Sequence, residues 1–319
     1  MKILISNLVY GEPYTEMFCN YHLNSVINNL IDSEFSKESL YLIYTDGKNI
    51  KNISTHVNFN ILNNKIKTKF VVINQDINYD QRYSIQGVQL SNSIEVALNG
   101  YDFMIMTSAD TFYGPSVFRK YGNILKNSEI KAIWGIFFRT TFEPLIDYLY
   151  KNKFPNKEEL FQACINYIHP LWVHADWDVH RFTKIPYQML WSSHNQIIVR
   201  GYSWSPLIFR PEPWMSNASG SIDLSFDPTL ISNYWITEWW ELPIIELVQL
   251  KNFYPPFGIE KANVKEIAKW TVSSIPKRNW DNLKRSWLFK HPTEELDIEL
   301  VKKAEAIANK ILTELIISR

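Results

Sequence analysis

The residues whose types and spacing are best suited to chemistry lie in one stretch, Asp102-Phe-Met-Ile-Met-Thr-Ser-Ala-Asp110-Thr-Phe-Tyr113. Its apolar run, residues 103–106, has the pattern of a short strand buried on both faces of a parallel sheet. Polarity then switches abruptly at Thr107, Ser108, Ala109 and Asp110. A carboxylate just past the carboxyl end of such a strand stands where open α/β sheets bind ligands. Its hard oxygens suit a divalent cation, which in turn can clamp a diphosphate. The same carboxylate is equally suited to capping the next helix, with Pro115 at an early helical position.

A second constellation is His174-Ala-Asp176-Trp-Asp178-Val-His180, two histidines and two aspartates at period two. In an extended chain all four would share one side and could form a metal face. Nothing nearby marks a strand, so the segment reads as a solvated loop. His194 stands just before a strand expected over residues 196–200. It is a candidate hydrogen-bonder or base, or a structural histidine.

The elements that must position these groups follow from periodicity. Strands are expected over residues 2–6, 40–44, 70–73, 103–106 and 130–138. Leu23, Val26, Ile27 and Leu30 mark one helix face, and Ile94, Ala97, Leu98 and Tyr101 another. A third helix is expected over residues 116–125. Strands alternating with helices mean an α/β fold with a mostly parallel, Rossmann-like sheet flanked by helices.

The pattern changes near residue 140. Asn156-Lys-Glu-Glu159 resembles a capping box that opens a helix to about residue 168. An aromatic, irregular region covers residues 169–240, with strands expected over 196–200 and, after Ser219-Gly220-Ser221, over 222–226. A helix is expected over 241–253 with Pro243 in its first turn, ended by Pro255-Pro256. The last helix is expected from about residue 293, with Leu300, Ala304, Ile307, Ile311 and Leu315 as its apolar stripe. That stripe docks on the body, or serves a dimer or a membrane surface. Residues 1–250 are expected to form one domain and residues 251–319 a helical extension packed on it.

Composition narrows the function classes. The 319 residues hold 33 Lys+Arg against 33 Asp+Glu, so a broad nucleic-acid footprint and a general polybasic membrane anchor are not expected. Cys19 and Cys164 make neither a disulfide framework nor a zinc signature, and read as buried thiols in a reducing cytoplasm. No apolar run has the length of a signal peptide or a membrane span.

Taken in order, the motifs resemble the nucleotide-sugar glycosyltransferases of the GT-A fold, in their bacterial surface-polysaccharide branch. Residues 3–14 resemble the strand and loop that wrap the nucleobase. Tyr44-Thr45-Asp46 resembles the end of the second strand, and residues 102–113 the strand that carries an Asp-x-Asp motif. Residues 196–227, with Arg200-Gly201, Pro206 and Ser221-Ile222-Asp223, resemble the acceptor-side segment. The resemblance spans residues 1–250.

The resemblance implies transfer of a sugar from a nucleotide sugar to a saccharide or glycoconjugate. The donor would be bound by Leu8, Tyr10, Gly11, Tyr14, Thr45, Asp46, Ser108 and Asp110, with Tyr10 and Tyr14 placed to sandwich a base. His194, Arg200 and Trp239 would face the acceptor. Asp223, Glu241 and Glu238 are the candidate general bases, since inverting transfer needs one carboxylate to take the acceptor's proton. Trp204, Trp214, Trp235, Trp239 and Trp240 suit sugar stacking or a packed wall.

One departure matters. The family's Asp-x-Asp reads Ser108-Ala109-Asp110 here. A hydroxyl is a poor ligand for a hard cation, so manganese or magnesium at Asp110 is expected to bind weakly or not at all. Metal-free chemistry would need cationic groups at the leaving diphosphate, and Arg181, Lys184, Arg200 and Arg210 are the regional candidates. The expected setting is the cytoplasm, with the inner face of the membrane as its alternative. Two other readings remain: a non-catalytic carbohydrate- or nucleotide-binding protein, for which Ser108 argues, and a nucleotidyltransferase. Gly11-Glu12-Pro13 lacks the basic residues a nucleotidyltransferase loop needs.

Overall fold

Strand β1 (Ile3–Val9) is buried along nearly its whole length, which requires a neighbour on both edges and cover on both faces. It pairs in parallel with β2 (Leu40–Thr45), and β2 with β3 (Lys67–Val72). The other edge of β1 pairs in parallel with β4 (Phe103–Ser108). The registers Leu8↔Tyr44 and Leu8↔Ser108 make the carboxyl ends of all three level. The computed structural model describes residues 1–73, 82–152, 154–194, 196–217, 222–250, 258 and 260–317. Ser219-Gly220-Ser221 and Pro255-Pro256 lie outside these residues.

After β4 come β5 (Thr111–Tyr113), β6 (Ala132–Gly135) and β7 (Phe138–Thr141). Then follow β8 (Gln188–Ser193), β9 (Gln196–Gly201) and β10 (Ser205–Phe209). The last three are β11 (Asn233–Trp235), β12 (Ile244–Val248) and β13 (Trp287–Phe289). The main sheet has the order β11-β6-β10-β4-β1-β2-β3 and is parallel except at β10. Two three-stranded sheets, β5-β12-β7 and β13-β9-β8, complete the fold. The architecture is the expected α/β one: a large, mostly parallel sheet flanked by helices, aromatic clusters beside it and a helix at the C-terminal end. Among the described residues no helix is long and apolar enough to cross a membrane.

Three expectations need correcting. Residues 130–138 form two strands, not one. β6 joins the main sheet and β7 the small one, and Gly135 at the break packs so closely that a Cβ would stand 2.7 Å from Leu207 Cδ1. Residues 222–226 hold a short helix, Ile222–Ser225, instead of a strand. Residues 241–253 hold β12 instead of a helix as far as residue 250. Ile244, Ile245 and Val248 are β-branched, and pairing on both edges with β5 and β7 overrides the helical spacing. Pro243 ends a turn there, its carbonyl accepting from Gly114 N at 2.7 Å.

Other elements fall close to their expected places. The capping box is present, Asn156 and Glu159 each accepting from the other's backbone N–H. The last helix runs Ile298–Ile317, opened by Asp297 Oδ1 accepting from Leu300 N at 3.0 Å. Its buried stripe is Leu300, Ala304, Ala308, Ile311 and Leu315, packed in one cluster with Met189, Trp191 and Ile198 of β8 and β9. Cys19 and Cys164 are both buried free thiols.

Candidate functional site

Asp110 follows β4 directly, in the two-residue step to β5. Ser108 donates its hydroxyl hydrogen to Asp110 Oδ1 and lies 3.0 Å from Thr111 Oγ1. Leu247 N on β12 donates to the Asp110 carbonyl at 2.8 Å. The β5 segment is held from behind by polar residues on one face of helix Leu23–Ile31 and the π-helical turn Phe18–His22. His22 Nδ1 donates to Thr111 O at 2.6 Å, so Nε2 accepts from Tyr41 Oη at 2.6 Å and Asn7 Nδ2 at 3.0 Å. Ser25 Oγ accepts from Tyr113 N at 3.2 Å. Asn29 Nδ2 donates to Tyr113 O at 3.2 Å and Gly114 O at 3.0 Å, and its Oδ1 accepts from Phe118 N at 3.2 Å. Burial pushes His22 down to about 4, only partly opposed by its bond to Thr111, so the ring is neutral at pH 7.

A cavity of about 510 Å³ opens at the carboxyl ends of β1 and β4. Leu8, Met106 and Ser108 form its floor, and Tyr10 and Tyr14 of the first loop one rim. Gln86 and Gln89 of helix Arg82–Leu98 line a side, Gln89 Nε2 donating to Ser6 Oγ at 3.0 Å. The charged lining residues are Asp110, Arg139, Glu246 and Asp223. Gln188, Ser203 and Ser205 adjoin it.

Sheet register assembles this charged lining. Glu246 on β12 lies opposite Thr111 on β5 and opposite Arg139 on β7. Arg139 Nε donates to Glu246 Oε2 at 2.7 Å. Burial works against the guanidinium charge, but Glu246, Asp223 and Asp110 outweigh it and hold Arg139 above its ordinary pKa. Asp110 is pushed up to about 6 by burial and then by the Glu246 charge, against the Ser108 hydrogen bond and Arg139. Asp223 is also pushed up to about 6, again chiefly by burial, while backbone N–H groups and Arg139 pull it down. The Ser203 hydroxyl donates to Asp223 Oδ2. Two acids shifted upward by burial in one cleft mark it as a candidate functional site.

Of the expected site residues, Leu8, Tyr10, Tyr14, Ser108, Asp110 and Asp223 meet at this cavity. Gly11 adjoins Tyr10 with φ +83 at the start of helix Glu12–Met17. The others lie elsewhere. Thr45 is fully buried at the end of β2, and Asp46 caps helix Gly47–Ser54 by accepting from Asn49 N at 2.9 Å. Glu241 pairs with Lys120 at 3.1 Å and accepts from Tyr234 Oη at 2.9 Å, while Glu238 is exposed beside Leu288. His194 is exposed in the β8–β9 turn at φ 41. Arg200 is buried and donates Nη1 to Leu283 O at 3.3 Å and Lys284 O at 3.2 Å. Trp239 is fully buried, 5.1 Å from the Phe289 ring, and is a core residue rather than a stacking surface.

Arg139 and Glu246 escaped the sequence reading. Arg139 was hidden at the end of a strand read as continuous, and Glu246 inside a segment read as a helix. The available signal was a single acid in the alternating apolar run Ile244-Ile245-Glu246-Leu247-Val248. In the period-two stretch, Asp176 accepts from Ser192 Oγ at 2.5 Å and Asp178 pairs with Lys303 at 2.5 Å, so its acids tie the segment to β8 and to the last helix.

The cavity's three carboxylates are each engaged with a protein group. Asp110 offers one carboxylate and already accepts from Ser108. Glu246 is turned to Arg139, and Asp223 accepts from Ser203. Among the described residues no group of three His, Cys, Asp or Glu side chains could hold a metal ion.

No family model matches the chain, and no curated protein matches it. Among solved structures it is similar to S. aureus TarS 1-349, at 11% identity and TM-score 0.39, over 99% of this chain and 71% of that one. The same fragment in complex with UDP-GlcNAc matches at 11% identity and TM-score 0.39, over 99% and 72%. The longer S. aureus TarS structure matches at 10% identity and TM-score 0.37, over 99% and 43%. Likenesses of this size transfer neither ligand nor activity.

Proposed function

We propose that this chain is a glycosyltransferase that moves a sugar from a nucleotide diphosphate sugar to a saccharide or glycoconjugate acceptor. One observation carries the reading. The 510 Å³ cavity joins two tyrosines of the β1 loop, the Asp110 step after β4 and the carboxylate of Asp223. Tyrosines at the cavity suit a base, and a mostly apolar lining with a few convergent polar and charged groups suits a ligand that must be oriented. Asp223, the expected base that lines the cavity, takes the acceptor hydroxyl proton. That oxygen bonds to the anomeric carbon, the bond from this carbon to the phosphate oxygen breaks, and the nucleoside diphosphate leaves.

The test is thermal stabilisation by UDP, GDP and CMP, followed by hydrolysis of the matching sugar nucleotides. Stabilisation by at least one nucleotide with slow hydrolysis is expected. No stabilisation by any of them would defeat the reading. The hydroxyl of Ser108, occupying Asp110, favours a second reading, a binding protein on the same scaffold. Nucleotide binding unchanged in Asp110→Ala, with no hydrolysis of any sugar nucleotide, would select it.

A further inference from the structure

We propose that the Arg139 guanidinium receives the donor's diphosphate in place of a divalent cation, a proposal that rests on the transferase reading above. Among the described residues that line the cavity, Arg139 is the only lysine or arginine. Three of the four basic residues that composition offered for this task are engaged or placed elsewhere. Arg200 is buried against the carbonyls of Leu283 and Lys284. Arg210 lies over the Phe103 ring at 5.2 Å, and Lys184 lines a separate cleft with Trp270.

Arg139 is also built to stay in one orientation. Its backbone is paired in β7, in register with Glu246 of β12. Glu246 takes the Nε–H at 2.7 Å, the one side-chain hydrogen bond to this guanidinium among the described residues. That leaves the terminal nitrogens, the planar fork that matches two phosphate oxygens, for a ligand. The carboxylates of Glu246, Asp223 and Asp110 keep the guanidinium charged despite its burial. Ser108, where the resembling family has a metal-binding carboxylate, turns its hydroxyl on Asp110 and so removes a cation ligand from the same place. As the anomeric bond breaks, charge grows on the leaving phosphate oxygen, and a fixed guanidinium beside it needs no reorganisation to stabilise that charge.

The experiment is titration calorimetry of UDP, GDP and CDP, and of uridine, guanosine and cytidine, in EDTA and in manganese. Wild type, Arg139→Met and Arg139→Lys are compared. The proposal expects a nucleoside diphosphate to bind wild type equally well, within about twofold, in EDTA and manganese. Arg139→Met should weaken that diphosphate by about tenfold or more while leaving its nucleoside unchanged, the range for losing a charge-assisted pair. Arg139→Lys should fall between the two. Binding that vanishes in EDTA and returns with manganese overturns the proposal and leaves the transferase reading standing. So does a diphosphate affinity in Arg139→Met equal to wild type. Should no nucleoside diphosphate bind wild type in either condition, the transferase reading falls and the proposal with it.

Discussion

Asp223 and Asp110 face the same cavity, yet their surroundings assign them different work. Asp223 accepts from Ser203 and from backbone N–H groups, and is pushed up to about 6 mainly by burial. A base of that strength is mostly ionised at pH 7 and still strong enough to take a hydroxyl proton in the transition state. Asp223→Asn should therefore lower kcat for transfer by about 10²–10⁴-fold while nucleotide affinity stays within about twofold. The wild-type rate should rise as pH increases through about 6, because only the ionised carboxylate can act as base. A pH–rate profile flat from 5 to 8 would remove Asp223 from this role. Asp110 is tied to Ser108 and to the fixed backbone of β12, which makes it a contributor to the shape and charge of the donor side.

Between secondary-structure elements, the site depends on helix Leu23–Ile31 as a rigid backing for β5. Asn29 satisfies two carbonyls and one N–H of residues 113–118, all out of reach of water. Asn29→Ala leaves these three groups unpaired and should cost about 3 kcal/mol or more in urea unfolding, at about 1–3 kcal/mol per buried unmet group. Because β5 follows Asp110 directly, the same variant should raise the donor KM severalfold, whereas an equally destabilising change far from the cavity should not. Gly201 is a second sensitive point. A Cβ there would stand 2.4 Å from Tyr187 O and 2.8 Å from Gln188 Cα, both backbone atoms that cannot yield without breaking the β8–β9 pairing. Gly201→Ala should lower stability by about 1–3 kcal/mol and disturb Gln188 at the cavity wall, measurable as a lower Tm and a raised KM.

At the scale of the molecule, buried titrating groups of opposite kind offset one another in acid. His22 and His169 are each lowered to about 4, chiefly by burial, so the unfolded chain binds their protons first and stability falls as pH drops from 6.5 towards 4. Asp110 and Asp223 are raised to about 6, so the folded chain binds their protons first. Their contribution is fully present below 3.8 and is lost as pH rises through 6. The double variant Asp110→Asn, Asp223→Asn removes only the second pair. Its unfolding free energy should be higher than wild type at pH 7 and should fall more steeply between pH 6.5 and 4. Parallel curves for the two proteins would show that these acids are not perturbed by the fold.

The sequence by itself determined the α/β alternation, the capped helix at Asn156 and the place of Asp110 just past a buried strand. These are local: a buried strand announces itself by its own apolar run, and a capping box by residues three apart. Residues 130–138 and 244–248 were decided only in three dimensions, because pairing with distant strands outweighed local spacing. For the same reason Arg139 and Glu246, separated by 107 positions, were invisible as a pair until β7 and β12 came into register. Arg200, Glu241 and Trp239 suited the chemistry by type, but the fold spent them on carbonyls, a lysine and the core. Which charged groups share a cavity is set by sheet register and burial, and neither is written in the spacing of residues along the chain.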